Sequence, residues 1–251
     1  MRALVVLALV ATPALAAKRE TFATIWHVEP APVPAAEQSV APGALVLRQR
    51  LLPTGLAVLD EAWREGSTTI PAGTALIRAT SATPVFCALA GKTGLLTALL
   101  SPLPDKTLRC FVDDDADGRF DRTVKANSNV ATVPQPTGRL PDDRTPTIAL
   151  RYSPRDPATF DGGYLVGVRY TGQAKIGTLR RFETVYGTEG HWGFFTGDNL
   201  FTKRDSDLPR AVSALGASFT VLGGDGKAVR VRVDQTIPAQ PFAVAVTTMY
   251  Y

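Results

Sequence analysis

Short apolar runs separated by turn residues are the feature that most limits what this chain can fold into. Residues 229–233 read Val-Arg-Val-Arg-Val, so the valines fall on one face of an extended strand and the arginines on the other. Residues 164–170 keep the same two-residue period, and Pro-Ala-Gly at 71–73 is typical of a tight turn. No stretch sustains the 3.6-residue period of an amphipathic helix over a long window. The sequence therefore predicts an all-β protein of antiparallel sandwich or barrel-like units, in one or two domains.

The domain organisation follows from length and from one proline-rich segment. The 251 residues are enough for one large β-domain or two smaller ones. We assign residues 17–42 to an N-terminal strand and a Pro/Ala-rich segment, 43–127 to a first β-domain and 147–251 to a second. Residues 128–146 contain four prolines and are predicted to form a linker or a long surface loop.

Three shorter segments complete the secondary-structure prediction. Residues 56–63 and 95–100 each fit a strand or a short helix, because their apolar pattern is too brief to separate the two periods. Residues 242–248 are apolar and β-branched and are predicted to form the last strand.

The N-terminus predicts export. Arg2 precedes an unbroken apolar run at 3–10, and small residues at Ala14 and Ala16 complete the pattern of a signal peptide, residues 1–16. The apolar run is far shorter than the roughly 20 residues that span a bilayer, and no later segment qualifies as a transmembrane helix. We therefore expect a secreted or periplasmic protein.

Net charge and cysteine content further limit the class of protein that this chain can belong to. The formal net charge is +4, but the cations are scattered and form no dense basic tract, which argues against nucleic-acid binding. The two cysteines, Cys87 and Cys110, are an even pair in a chain expected in an oxidising compartment. We predict that they form one disulfide closing a loop of roughly 24 residues, which stabilises the fold by about 3 kcal/mol in the chain-entropy model.

An aspartate-rich segment is the strongest functional signal. Residues 110–121 read Cys-Phe-Val-Asp-Asp-Asp-Ala-Asp-Gly-Arg-Phe-Asp, which places five carboxylates in nine residues. Residues 107–112 and 119–125 read as the two arms of a hairpin, so the acidic residues lie at its tip. Calcium binds six to eight oxygens, and alternating carboxylates on a tight loop converge on one centre. The alternative is a solvated turn, since Asp and Gly are common turn formers. The alternating carboxylates predicted to converge on a calcium ion are Asp113, Asp115 and Asp117, while Asp114 is expected to face outward.

The loop resembles those of two calcium-binding families. Asp113, Asp115, Asp117 and Gly118 match positions 1, 3, 5 and 6 of an EF-hand. This resemblance implies two further calcium ligands, the Arg119 carbonyl at position 7 and Asp121 at position 9, directly or through water. Position 12 is Val124, where EF-hands carry a bidentate Glu, and the flanks are strands. The spacing D-x-D-x-D-G-x-x-D is also similar to thrombospondin type 3 repeats, which occur in arrays. The resemblance covers residues 113–121 only, and it implies a weak structural calcium site.

The function stays open among three classes. The first is an exported β-rich binding or structural module of the cell envelope, with an unknown protein or glycan as ligand. The alternatives are an exported hydrolase without a recognisable site motif and, with less support, an outer-membrane β-barrel, which nineteen prolines oppose. No catalytic residue is assigned. An aromatic cluster either packs in the core or lines a ligand groove; it comprises Trp192, Phe194, Phe195 and Phe201.

Overall fold

The computed structural model describes residues 20–66, 68–89, 107–128, 132–173, 179–201, 207–225 and 227–244. Within them the chain forms short strands and one 3-10 turn, η1. The strands are β1 (Thr21–Ala23), β2 (Trp26–Val28), β3 (Gln38–Val40), β4 (Leu45–Pro53), β5 (Leu56–Leu59), β6 (Trp63–Glu65), β7 (Thr68–Ile70), β8 (Ala75–Ala79), β9 (Val85–Ala88), β10 (Thr107–Val112), β11 (Arg119–Phe120), β12 (Arg122–Asn127), β13 (Thr137–Arg139), β14 (Leu150–Arg155), β15 (Leu165–Gln173), β16 (Arg180–Thr188), β17 (His191–Phe201), β18 (Arg210–Ala214), β19 (Ala217–Asp225), β20 (Ala228–Gln235) and β21 (Pro241–Phe242), with η1 at Pro157–Thr159.

Some predicted segments lie outside the described residues. These are the signal peptide at 1–16, the ambiguous segment at 95–100, and residues 245–248 of the last predicted strand. The described part of that last segment is a strand only as far as Phe242, where β21 ends, since residues 243–244 are not in a strand. The other ambiguous segment, 56–63, forms β5 and the start of β6. It is a strand because β5 pairs with β8 on one side and β14 on the other, so its backbone hydrogen bonds are made between strands.

The strands form several antiparallel sheets, which confirms the all-β prediction. The largest sheet has nine strands in the order β1-β13-β12-β10-β9-β8-β5-β14-β11. A six-stranded sheet has the order β17-β16-β15-β4-β2-β21, a four-stranded sheet has the order β18-β19-β20-β3, and β6 pairs with β7. The alternation at 229–233 is confirmed, because its three valines are buried and its two arginines are exposed.

Strand pairing connects distant parts of the chain. In the six-stranded sheet β4 lies between β2 and β15, and in the four-stranded sheet β3 pairs with β20. Strand β13, from the predicted linker at 128–146, joins the nine-stranded sheet between β1 and β12. Segments on both sides of that linker therefore share sheets. The two-domain division stays a prediction, since pairing alone does not test whether either half folds separately.

The apolar side chains pack in two clusters. The larger contains Trp26, which is fully buried beside the rings of Phe160 and Tyr164. The smaller contains Phe111 and Phe120, whose ring centroids are 5.2 Å apart, and it lies under the aspartate-rich loop. This second cluster gives the loop a rigid apolar base.

No helix in the described residues has both the length and the apolar character needed to cross a membrane. The one helical element they contain is η1, a single turn that begins after Asp156. Its start is capped by the Asp156 carboxylate, which accepts a hydrogen bond from the Ala158 backbone N–H at 2.9 Å.

Candidate metal centre

Two strands carry the aspartate-rich loop, and the backbone closes it tightly. Strands β10 and β12 pair antiparallel up to Val112 opposite Arg122. The Asp121 N–H then donates to the Val112 carbonyl at 2.8 Å. Inside the loop Ala116 and Gly118 have φ of 61° and 88°. A Cβ at residue 118 would meet no atom within 4 Å, so glycine serves there because of its backbone conformation and not for lack of space.

The returning arm of the hairpin is not one strand. The prediction of a single partner strand over 119–125 is wrong, because the chain changes partners at Asp121. Before this residue β11 pairs with β14, with Phe120 opposite Leu150, and after it β12 pairs with β10. The Asp121 carbonyl accepts hydrogen bonds from the backbone N–H groups of Thr147 and Ile148, at 2.7 and 2.9 Å. The break buries Phe120, which stacks on Tyr152 at 4.2 Å between ring centroids.

Asp113 is the buried anchor of the loop. Its side chain is inaccessible to solvent, and Oδ1 accepts a hydrogen bond from the Asp117 N–H at 3.2 Å. Oδ2 accepts from the Gly118 N–H at 3.1 Å and from the Tyr152 hydroxyl at 2.9 Å. Burial and this bond to the carboxylate raise the pKa of Tyr152, so the phenol stays a donor. A buried carboxylate needs such donors, and Asp113 has three.

Three of the predicted ligands come together. Asp113, Asp115 and Asp117 each offer a carboxylate oxygen, and these atoms lie within 4.8 Å of one another. Asp115 accepts a hydrogen bond from the Asp117 N–H at 3.2 Å, and Asp117 accepts one from the Arg119 N–H at 2.8 Å. Among the described residues, no Arg or Lys side chain forms an ion pair with any of the three carboxylates. The cluster therefore carries negative charge that is offset only by neutral donors, which are backbone N–H groups and the Tyr152 hydroxyl.

Asp114 does not face outward, which corrects the sequence-based expectation. Its carboxylate makes two hydrogen bonds with Arg122, from Nε at 2.6 Å and from Nη2 at 2.8 Å. The Asp114 side chain is 12% exposed and the Arg122 side chain is 5% exposed, so this is a largely buried, bidentate ion pair. Arg122 Nη1 also donates to the carbonyls of Pro141 and Asp143 at 3.1 and 2.9 Å. The arginine thus ties the base of the loop to the segment that precedes β14.

Asp121 points to a different part of the loop. Its Oδ2 accepts a hydrogen bond from the Asp114 N–H at 2.7 Å, at the opposite end of the turn. It is not part of the three-carboxylate cluster. Asp121 and the Arg119 carbonyl as metal ligands stay predictions.

Two partners of the loop were not anticipated from the sequence. Tyr152 is 39 positions from Asp113, and nothing in the local pattern of either residue indicates the contact. Arg122 is only 8 positions from Asp114, and a strand arginine beside an acidic loop is a signal that charge pairing could have identified.

The disulfide prediction is confirmed. Cys87 and Cys110 are bonded and fully buried, and they lie directly opposite each other on β9 and β10. The bond joins strands that are already neighbours, one of which leads into the loop three residues later. The hairpin arm is therefore held on the side away from β12 by a covalent link.

The donor set suits a hard cation. All three converging groups are carboxylates, which calcium and magnesium prefer, and the cluster lacks the His or Cys ligands of zinc sites. A carboxylate has about four lone-pair positions, so the N–H bonds described above leave acceptor capacity on each residue. The residues present therefore fit a divalent cation held by oxygen.

Comparisons of the chain with protein-family models, with curated proteins and with solved structures find no significant match. Inference about function therefore rests on the chemistry of the sites and not on similarity to known proteins. The acidic loop and its supporting contacts are the first such site.

Proposed function

We propose that the protein is an exported β-rich module of the cell envelope, acting in binding or as a structural component, and that its acidic loop holds one calcium ion. The observation that carries the calcium proposal is the convergence of Asp113, Asp115 and Asp117 within 4.8 Å with no ion-paired cation among the described residues. The predicted position of the Arg119 carbonyl and of Asp121 would add oxygens toward the six to eight that calcium takes.

The role of the ion is structural. Two unit charges about 4.8 Å apart repel by roughly 1 kcal/mol in water and roughly 3–4 kcal/mol at an effective dielectric constant near 20. A divalent cation among the carboxylates replaces this repulsion with attraction. Asp113 is fixed from below by Tyr152, and the β10 arm is fixed by the disulfide, so the ion orders only the exposed half of the loop.

The exported location is part of the same proposal. The signal-peptide pattern at 1–16 and the disulfide both suit an oxidising compartment. Calcium at the millimolar level found outside cells would fill a site of modest affinity, about 10⁻⁴–10⁻³ M for extracellular modules.

The test is thermal unfolding in 10 mM calcium or in EDTA, for the wild type, Asp115→Asn and a control, Asp161→Asn. At about 10 to 100 times its Kd, calcium stabilises the folded state by about 1.4–2.7 kcal/mol, which raises Tm by roughly 3–10 °C. We expect this rise for the wild type and the control and little of it for Asp115→Asn. Asp161 is a suitable control for Asp115 because it is also an exposed aspartate but lies outside the acidic loop, before β15.

Magnesium provides the second arm of the experiment. The same concentration of magnesium should raise Tm less, because magnesium demands an octahedral site and gives up its water reluctantly. If calcium shifts none of the three proteins, or shifts Asp115→Asn as much as the wild type, the loop is only a charged turn and the calcium proposal fails.

A further inference from the structure

A cleft on the six-stranded sheet carries an inference that is separate from the metal centre. Two adjoining cavities of about 590 and 850 Å³ open there, and each is within the size range of small-molecule sites. Arg48 of β4 and Glu189 of the β16–β17 turn line both cavities, and their side chains form an ion pair. The pair therefore stands between two compartments of one longer cleft.

Trp192 distinguishes the first compartment. The other two tryptophans are buried: Trp26 donates its indole N–H to the Pro134 carbonyl at 3.0 Å, and Trp63 packs edge-on against Phe111. Trp192 is only half-buried, and within the described residues its ring contacts no other aromatic ring and its N–H has no hydrogen-bond partner. Because Trp192 is partly exposed and lines the first compartment, its indole is available to a ligand in the cleft.

The strand register explains why the indole is left uncovered. Trp192 lies directly opposite Gly187 in the β16–β17 pair. Directly opposed residues share a face of the sheet, and their side chains normally cover each other. Glycine has no side chain, so the directly opposed residue does not cover the ring.

The polar lining offers both donors and acceptors. Gln38 lines the first compartment and Asp161 lines the second, and neither side chain has a hydrogen-bond partner among the described residues. The charged residues of the lining are two arginines and two acids, Arg48, Arg50, Asp161 and Glu189, so their formal charges cancel. Both arginines are already ion-paired, Arg48 with Glu189 and Arg50 with Glu29 at 3.2 Å.

From these features we infer that the cleft binds a neutral oligosaccharide, with one sugar ring stacked on Trp192 and the chain continuing past the Arg48–Glu189 pair to Asp161. Sugar hydroxyls donate and accept at once, which suits an amide, a carboxylate and an indole N–H placed along one path. The apolar face of a pyranose ring suits the open indole. A polyanion would meet no net positive charge in the lining, and its phosphates or sulfates would have to displace acids already paired with both arginines. This inference names the ligand for the binding role in the proposed function.

The experiment uses the full exported chain on an array of neutral glycans that includes α- and β-glucan, chitin, mannan and galactan fragments, together with heparin and a random-peptide set. Hits are then titrated by tryptophan fluorescence. We expect at least one neutral glycan of two or more rings to bind, and Trp192→Ala to weaken it by about tenfold or more. Asp161→Asn, which keeps the size of the side chain, should weaken the binding of long glycan fragments but not that of short ones.

Phe194→Ala is the matched control. Phe194 is on the same strand and is 54% exposed, but it lines neither cavity, so its loss should leave the affinity unchanged. Thermal unfolding of each variant shows whether the fold is kept. Binding of no neutral glycan, binding only of heparin or of peptides, or an affinity unchanged in Trp192→Ala would each overturn the inference. The calcium test reads out at a different site, so either proposal can fail alone.

Discussion

Replacing Arg122 by methionine should destabilise the protein more than removal of any surface ion pair. Arg122 is 5% exposed, and it makes two hydrogen bonds to the Asp114 carboxylate and two to backbone carbonyls. Methionine fills much of the same volume but leaves Asp114, itself only 12% exposed, without its cation. Breaking a buried pair from one side costs about 3–5 kcal/mol. For a chain of this size that is a fall in Tm of roughly 6–20 °C.

The assay is urea unfolding followed by fluorescence, with thermal unfolding as a second measure. Arg151→Met is the matched control, because Arg151 also pairs with a carboxylate, Glu61 at 2.8 Å, but the two side chains are 61% and 44% exposed. That exposed pair is screened by water, so its loss should leave the unfolding midpoint within the scatter of repeat measurements.

A double variant separates the charge from the packing. Adding Asp114→Asn to Arg122→Met removes the unpaired carboxylate, and we expect it to restore part of the lost stability. If Arg122→Met unfolds at the same midpoint as Arg151→Met, or if the double variant is less stable than Arg122→Met, then the buried pair does not hold the base of the loop and the reasoning is refuted.

Three further outcomes are expected. Replacing both cysteines, Cys87→Ala/Cys110→Ala, should lower the free energy of unfolding by about 3 kcal/mol relative to the oxidised wild type, measured by urea unfolding without reductant. The wild type measured with reductant should lose the same amount. The pKa of Glu20 is lowered, chiefly by the hydrogen bond from the Thr83 backbone N–H, so Glu20→Gln should lose stability at pH 7, and its difference from wild type should shrink as the pH falls from 4.5 through the lowered pKa. Burial raises the pKa of Tyr152 above its ordinary value of 10.0, so stability should fall as the pH rises from 10.0 through the raised pKa. Burial also raises the pKa of Tyr164 and Tyr186, so ultraviolet titration should show several late-ionising tyrosines in the wild type and one fewer in Tyr152→Phe. A late titration phase of equal size in Tyr152→Phe and wild type, or a stability difference between Glu20→Gln and wild type that does not shrink between pH 7 and pH 3, would contradict these two predictions.

Much of the local structure of this protein can be predicted from its sequence alone. The alternating valines of β20, the turn at 71–73 and the absence of a helical period gave the all-β class, because side-chain alternation depends only on neighbouring residues. The same holds for the acidic loop, where D-x-D-x-D-G places three carboxylates on one centre through local backbone geometry. The disulfide followed from there being only two cysteines and hence only one way to pair them.

The assembly of those local elements depends on contacts between distant parts of the chain. Which strands pair is a long-range choice: β4 lies between β2 and β15, and β20 takes β3 as a neighbour, and no local pattern encodes either choice. The orientation of Asp114 was mispredicted for the same reason. A carboxylate on an exposed turn normally faces water, and it turns inward here because β12 places Arg122 beneath it. Tyr152 reaches Asp113, and Arg48 reaches Glu189 from 141 positions away, because sheets bring distant strands side by side. Chemistry that depends on spacing along the chain can be predicted from sequence, whereas chemistry that depends on strand order cannot, because the free-energy differences between alternative pairings are spread over the whole core.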